Sequence, residues 1–401
     1  MRRAVTFTTT GLIALLLAAC SGAADVTLRA AAPTSTATPP TEVKTAVAAS
    51  YQLQTPSTSA IQDRRYFGIN FDNDKDSPTA YSERAGLQAE VLVRFFRFPL
   101  GTQDRSALVD FLDQAARLQV VALVTLEPHD GLEAVTDQSI DELATIVAAA
   151  NAAGAPVMIR FAHEMNGSWY PWSQQPTPYI ETFRRIATAV HTAAPATTML
   201  WAPNYGGGYP FQSGPYETTS GEPGFELLDT NADGLLDITD DPYAPYYPGD
   251  DVVDWVGMSL YHWGSAYPWG ENEVPEAGKF TTQLRGTYVG ANGDDTPVPD
   301  FYGEYAESRD KPLAIPETAA LYDPAQPGDE FTIKSTWWNQ VFAPEVSADF
   351  PLLRMINWFE HRKIENEVGG VIIDWRSTGD PSLAEPFTNH VRNWLHAPTA
   401  D

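Results

Sequence analysis

The chain has 401 residues, 43% of them hydrophobic, and a formal charge of −27. That length and apolar content suffice for one large barrel or two average domains with a full core. The acidity excludes nucleic acid and anionic lipid surfaces as electrostatic partners, and it fits an exported protein with a neutral substrate.

The first nineteen residues read as a targeting segment. Arg2 and Arg3 form a charged n-region, Gly11 to Ala19 an apolar h-region, and Leu17-Ala18-Ala19-Cys20 a bacterial lipoprotein cleavage box. Cys20 is the only cysteine, so no internal disulfide can form, and its place points to lipid attachment. The expected location is the bacterial cell surface, with the membrane reached through the lipid anchor only. Residues 20–62 are rich in Ala, Thr, Ser and Pro and read as the lipidated cysteine followed by a flexible tether. Residues 63–401 are the expected catalytic domain, and a monomer is expected.

From Tyr66 onward, short apolar runs alternate with helical patterns. Expected strands are Tyr66–Phe71, Val91–Phe98, Val120–Leu126, Val157–Ile159, Thr198–Ala202, Val252–Leu260, Leu313–Ile315 and Arg354–Phe359. Ser106–Leu118 carries Leu108, Phe111, Leu112, Ala115 and Leu118 on one helical face. Ser139 with Glu142 reads as a capping box opening a second helix. Thr177-Pro178 reads as an N-cap and first helical residue of a third. Asp329–Phe342 and Glu385–Leu395 supply further helices. This alternation implies parallel βαβ units, and eight of them predict an α/β fold, a (β/α)₈ TIM barrel. The long inserts Tyr205–Asp250 and Gly264–Asp310 both follow a strand, so they would lie on the C-terminal face. An open doubly wound sheet is the other arrangement, but no Gly-rich phosphate loop supports it.

In such barrels the chemistry sits at the C-terminal strand ends. The fourth strand opens directly into His163-Glu164, then Asn166-Gly167, Trp169, Tyr170 and Trp172. A carboxyl among indoles stays protonated, and indole faces stack on sugar C–H faces. Glu317 ends the seventh strand and Glu127 the third. A retaining glycosidase needs two carboxyl groups about 5–5.5 Å apart, one acid/base and one nucleophile. Glu164 and Glu317 are the leading pair, and Glu127 is a third candidate or a substrate-binding group. His129 and His262 also end strands. His191, His390 and His396 fall on helices without a His-Glu-x-x-His pattern, which speaks against zinc.

Three further stretches complete a pattern: Tyr246–Asp250 running into Val253–Gly257, Lys311–Glu317, and Asp374-Trp375-Arg376. Together with His163–Gly167, Trp169 and Trp172 they resemble glycoside hydrolase family 26, whose best-known members are β-mannanases. The resemblance covers roughly Tyr66 to Leu395. It implies that Glu164 is the general acid/base and Glu317 the nucleophile. It implies that His163 hydrogen-bonds within the catalytic pair, that Tyr261 orients Glu317, and that Trp169 and Trp358 wall the sugar site. Pro316 stands where Gly is commoner, and Phe359 follows Trp358 where some mannanases carry Arg. The implied activity is endo-β-1,4-mannan hydrolysis on a β-linked polysaccharide or oligosaccharide, with no cofactor for catalysis. The same chemistry on β-1,3-xylan or mixed-linkage glucan is the nearest alternative, and a non-catalytic glycan-binding lipoprotein is another.

A separate stretch has oxygen ligands at loop positions 1, 3, 5 and 9, namely Asp229, Asn231, Asp233 and Asp237, with Gly234 at position 6; position 12 is Asp240 rather than Glu, and Pro242 argues against an exiting helix. This spacing matches an EF-hand loop and predicts a structural Ca²⁺.

Overall fold

The structure is a computed structural model that describes Ile61 and residues 64–267, 269–293 and 295–397. The leader, Cys20 and the tether lie outside the described residues. Among the described residues no helix is long and apolar enough to cross a membrane.

Eight parallel strands close in sequence order into a barrel. They are β1 (Tyr66–Phe71), β2 (Val91–Arg97), β3 (Val121–Glu127), β4 (Val157–Phe161), β5 (Thr198–Trp201), β6 (Trp255–Gly257), β7 (Leu313–Thr318) and β8 (Leu353–Glu360). The expected barrel is therefore the observed one. The sixth strand is much shorter than Val252–Leu260, because the chain leaves the ladder on both sides of three residues. It keeps its course through single bonds, such as Leu260 N–H to the Glu317 carbonyl at 3.0 Å.

The strands read as near-continuous apolar runs because both faces are covered. The inner face holds Tyr66, Val91, Val93, Leu123, Met158, Leu200, Trp255, Ala314 and Met355. The outer face packs against helices α1 (Pro78–Ala85), α2 (Thr102–Leu118), α3 (Asp137–Ala152), α4 (Pro176–Ala193), α5 (Lys279–Leu284), α6 (Glu330–Val341), α7 (Pro344–Asp349) and α8 (Pro381–His396). Helix α1 is an element that sequence pattern does not announce, since only Tyr81 and Ala85 of it are buried.

Local capping differs from expectation in two places. Thr136, not Ser139, is the N-cap of α3. Its side chain accepts from Ser139 N–H, and Ser139 Oγ answers the Thr136 N–H, so Ser139 is the far half of the box. Helix α4 begins at Pro176, which puts Thr177 inside the first turn. Past β8 the chain forms a two-stranded antiparallel hairpin, β9 (Arg362–Glu365) and β10 (Val371–Asp374), that returns Trp375 to the barrel rim. There Trp375 N–H donates to the His361 carbonyl at 2.9 Å.

The register of β8 corrects one expectation. Asn357 pairs with Gly68 and Phe359 with Asn70, while Trp358 pairs with Ile69 on the opposite parity. Trp358 is fully buried in the helix layer, 4.8 Å from the Phe387 ring and 5.9 Å from Phe342. It does not wall the mouth; Phe359, next along, points there. Trp358→Ala should therefore act as a core deletion, costing roughly 3–5 kcal/mol of stability. A thermal melt together with kinetics on folded enzyme checks this: a lower Tm with little change in KM is expected, and an unchanged Tm with a large loss in kcat/KM would place Trp358 in the site.

Candidate active site

The site is built around β4. Across β2, β3 and β4, Phe95, Thr125 and Arg160 lie in register and form the top inner layer of the barrel. Arg160 is fully buried. Its Nε donates to Thr125 Oγ1 at 3.1 Å, its guanidinium carbon lies 5.3 Å from the Phe95 ring centroid, and its Nη2 donates to Glu317 Oε1 in a short ion pair. A buried cation needs such a partner. The second oxygen of Glu317 accepts from Tyr261 O–H at 2.7 Å. Burial and the Glu317 charge push the Tyr261 phenol well above its ordinary range, so it stays protonated and remains a donor.

Four residues beyond Arg160 the same strand delivers Glu164. Between them the backbone leaves the β region: Ala162 has φ 47° and Glu164 φ 53°, left-handed values that non-glycine residues rarely adopt. The turn is held by Ala162 N–H to the Leu126 carbonyl at 2.9 Å and Glu164 N–H to the Ala202 carbonyl at 3.0 Å. Asn166 closes it from the side. Its Nδ2 donates to the Asn204 carbonyl and its Oδ1 accepts from Asn204 N–H, both at 2.8 Å. This turn aims the Glu164 carboxyl across the mouth toward Glu317. A ligand atom from each of His163, Glu164 and Glu317 lies within 4.8 Å of the other two.

The two carboxyl groups sit in different surroundings. Burial, and then the Glu317 charge, raise the Glu164 pKa to about 7. Trp169 Nε1–H donates to Glu164 Oε2 at 3.1 Å. Glu317 has Arg160 and Tyr261 as donors. One group is thus suited to hold a proton near neutrality and the other to carry a charge.

His163 is buried beneath the pair. Burial, with help from the Arg160 charge, holds its pKa well below the ordinary value, so the ring is neutral. It packs against Phe95, Tyr170 and Trp172, with centroids at 5.5, 5.1 and 5.9 Å. Trp172 is also fully buried. Its Nε1–H donates to the His163 carbonyl at 2.7 Å, and its ring stacks on Tyr170 at 4.3 Å. The expected sugar contact at Trp172 is therefore a supporting one: Trp172 holds the turn, and the partly exposed Tyr170 faces the site in its place. Tyr170 lies within electrostatic reach of Glu164, Glu317 and Glu127, which with burial push its phenol upward.

Glu127 ends β3 as expected, with His129 Nε2 3.3 Å from its Oε2. Burial raises its pKa while His129 opposes the rise, and Glu317 is near enough to add to it. Both residues thus border the site. His262 does not. It is buried, it stacks against Trp337 with centroids 5.9 Å apart, and its Nε2 meets the Glu273 carbonyl at 2.9 Å. It anchors the insert that follows β6.

The rim on the Glu317 side is aromatic. Tyr261 lies 5.7 Å from Phe359 and 5.3 Å from Trp375, and Trp263 lies 4.8 Å from Trp375. On the Glu164 side, Phe211 from the first long insert meets Trp169 edge-on at 5.0 Å. Arg160, Tyr170, Trp263 and Phe359 are site residues that the sequence pattern does not single out, and the buried Trp375 supports them. Arg160 had a signal: it is a charge inside an otherwise apolar strand, and such a residue needs a buried partner.

The Asp-rich loop lies apart from these residues. Asp229 accepts from Asp233 N–H at 3.0 Å and Gly234 N–H at 2.8 Å, and Asp240 accepts from Thr230 N–H at 2.7 Å and Asp237 N–H at 2.9 Å. Gly234 has φ 88°, the turn that position 6 requires.

Comparison with known proteins agrees with this geometry. Residues 106–216, which include Glu164 and Trp169, match the model of glycosyl hydrolase family 26. Endoglucanase H of Acetivibrio thermocellus is 22% identical over 200 residues; the match covers 48% of this chain and only 19% of that protein's length. GH26C from Muricauda sp. MAR_2010_75 is 14% identical, with 86% of this chain and 92% of that one covered at a TM-score of 0.52. A modular endo-beta-1,4-mannanase from Cellulomonas fimi is 16% identical, with 83% and 72% covered at a TM-score of 0.52. At these identities the structural likeness is one of fold. Residues 106–216 are thus similar to the family 26 glycoside hydrolases, and the closed barrel shares the fold of these solved structures.

Proposed function

We propose that the protein is a retaining, endo-acting β-glycan hydrolase and that β-1,4-mannan or glucomannan is its substrate. The observation that carries the reading is the pair of carboxyl groups within 4.8 Å, one raised to about 7 and one paired with Arg160. Carboxylate oxygens within 4.8 Å of each other lie inside the roughly 6.5–9.5 Å spacing that an intervening water needs, and this suits double displacement. Glu317 attacks the anomeric carbon while Glu164 gives its proton to the leaving oxygen. Glu164, now ionised, then takes a proton from the water that opens the glycosyl ester. Tyr261 holds the attacking carboxylate, and Trp169 holds the acid. The mannanase fold relative supports mannan as the first substrate to try. The endoglucanase relative, and Phe359 at the rim, support mixed-linkage β-glucan as the second.

The two glutamates separate by role. Glu164→Ala should reduce polysaccharide hydrolysis by about 10²–10⁴. It should still release phenol from an activated aryl β-glycoside in a burst, followed by a slow phase that azide accelerates. In the parent the basic limb of kcat/KM should fall as pH rises through about 7, because the acid must be protonated to act; that limb should vanish in Glu164→Ala acting on the aryl substrate. Glu317→Ala should fail on both substrates without a burst. A burst from the Glu317 variant, or near-parental polymer cleavage by the Glu164 variant, contradicts the assignment.

Calcium binding by the 229–240 loop is a proposal of its own. Its support is the ligand spacing and the EF-hand-like bonds that Asp229 accepts. A chelator should lower Tm, since a ligand bound only by the folded state stabilises it by mass action. Asp233→Ala should abolish the response, and a Tm indifferent to chelator removes calcium from the account.

Anchoring through Cys20 is proposed from the cleavage-box sequence. Cys20→Ser should move the protein from the membrane fraction to the soluble exported fraction at unchanged specific activity. A variant that still sediments with membranes is not held by that lipid.

A further inference from the structure

One group at the mouth has no part in the mechanism above. His361 is the first residue past β8, at the rim next to Phe359. Its ring stacks on Phe359 at 4.3 Å with planes 21° apart, and Phe359 in turn touches Tyr261, which holds Glu317. The Glu317 charge reaches His361 directly. The ring is only half-buried. Its Nε2 lies 3.1 Å from Asn70 Oδ1, an acceptor from β1 on the inner face of the barrel.

That contact fixes the ring. With the Asn70 amide oxygen turned toward it, the ring carries its proton on Nε2 and a lone pair on Nδ1. Burial pushes the pKa down to about 4, so the ring is neutral near pH 7, where Glu164 holds its proton. The charged groups around it are tied elsewhere. Lys363 Nζ pairs with Glu365 at 2.6 Å, and Asp72 pairs with Lys75 at 2.6 Å. A neutral acceptor on an aromatic rim beside a nucleophile suits one kind of ligand group, a sugar hydroxyl that donates.

We propose that His361, oriented by Asn70, is a sugar-binding residue whose Nδ1 accepts a hydrogen bond from a ring hydroxyl of the unit seated against Glu317. The inference rests on the hydrolase reading for the place of the sugar, but its test does not need turnover.

The test is calorimetric titration of mannohexaose, cellohexaose and laminarihexaose into full-length protein carrying Glu164→Gln, which suppresses cleavage. The hexaose that binds best should lose about tenfold in affinity when His361→Ala is added, the loss of one well-placed hydrogen bond. Asparagine carries an acceptor oxygen on Cγ, where histidine carries Nδ1, so His361→Asn should recover most of that loss. Asn70→Ala frees the ring and should weaken binding in the same direction. A purely structural role predicts a lower Tm with Kd unchanged, and a Kd within twofold of the Glu164→Gln background overturns the proposal. Binding of none of the three hexaoses overturns it together with the hydrolase reading. Tight binding that depends on His361, with a parent that releases no reducing ends from the same glycans, leaves the proposal standing and sinks the hydrolase reading alone.

Discussion

The buried ion pair between Arg160 and Glu317 is the interaction on which the site depends. Arg160 sits in the top inner layer of a barrel whose other inner side chains are largely apolar, so its charge must find a partner within reach. That need draws the end of β7 toward β4 and fixes the Glu317 carboxylate with one oxygen on Arg160 and the other on Tyr261. Because Arg160 and Glu164 belong to one strand end, the same segment that holds the nucleophile candidate also delivers the acid candidate. The left-handed turn at Ala162 and Glu164 is the backbone cost of doing so, on the order of 1–2 kcal/mol per residue. Bonds to Leu126, Ala202 and Asn204 hold it, and they bring β3 and β5 into the support of the same turn.

The aromatic residues fall into three groups with different work. Trp358, Phe342 and Phe387 fill space between barrel and helices. Trp172 and Tyr170 stack beneath and beside His163, and this keeps the Glu164 turn dry enough to raise its pKa. Tyr261, Trp263 and Phe359 form the rim opposite Glu164, where a pyranose would present its C–H face, and the fully buried Trp375 packs behind them. The β9–β10 hairpin returns Trp375 to support that rim from behind. Asp374 is bound there by Arg376 through two contacts at 2.9 and 2.6 Å, which fixes the segment on both sides of the indole.

Much of this is legible in the sequence, for identifiable reasons. Parallel strands covered on both faces are apolar runs, and each run stops where the chain meets the site, so the barrel and the strand-end residues Glu127, His163, Glu164 and Glu317 can be read directly. The same continuity hides strand phase. In β8 every residue from Met355 to Glu360 is buried, so nothing in the pattern says whether Trp358 or Phe359 faces the mouth; only the pairing with Ile69 and Asn70 does. Trp172 illustrates a related limit, since a Trp-rich loop announces aromatic packing but not which ring is on top. The hairpin and helix α1 are short and weakly buried, and they carry little periodic signal. Residues 1–60 fall outside the described structure, so the leader and tether rest on sequence.

The central claim is that Glu164 and Glu317, held at this separation, act as acid/base and nucleophile in double displacement. The most direct test is the anomeric configuration of the first product, read by proton NMR in the first minutes of glycan cleavage before mutarotation. The account predicts that the newly formed reducing end appears first as the β-anomer, the configuration of the bond that was cut. First appearance of the α-anomer would mean a single displacement by water, and would contradict the account.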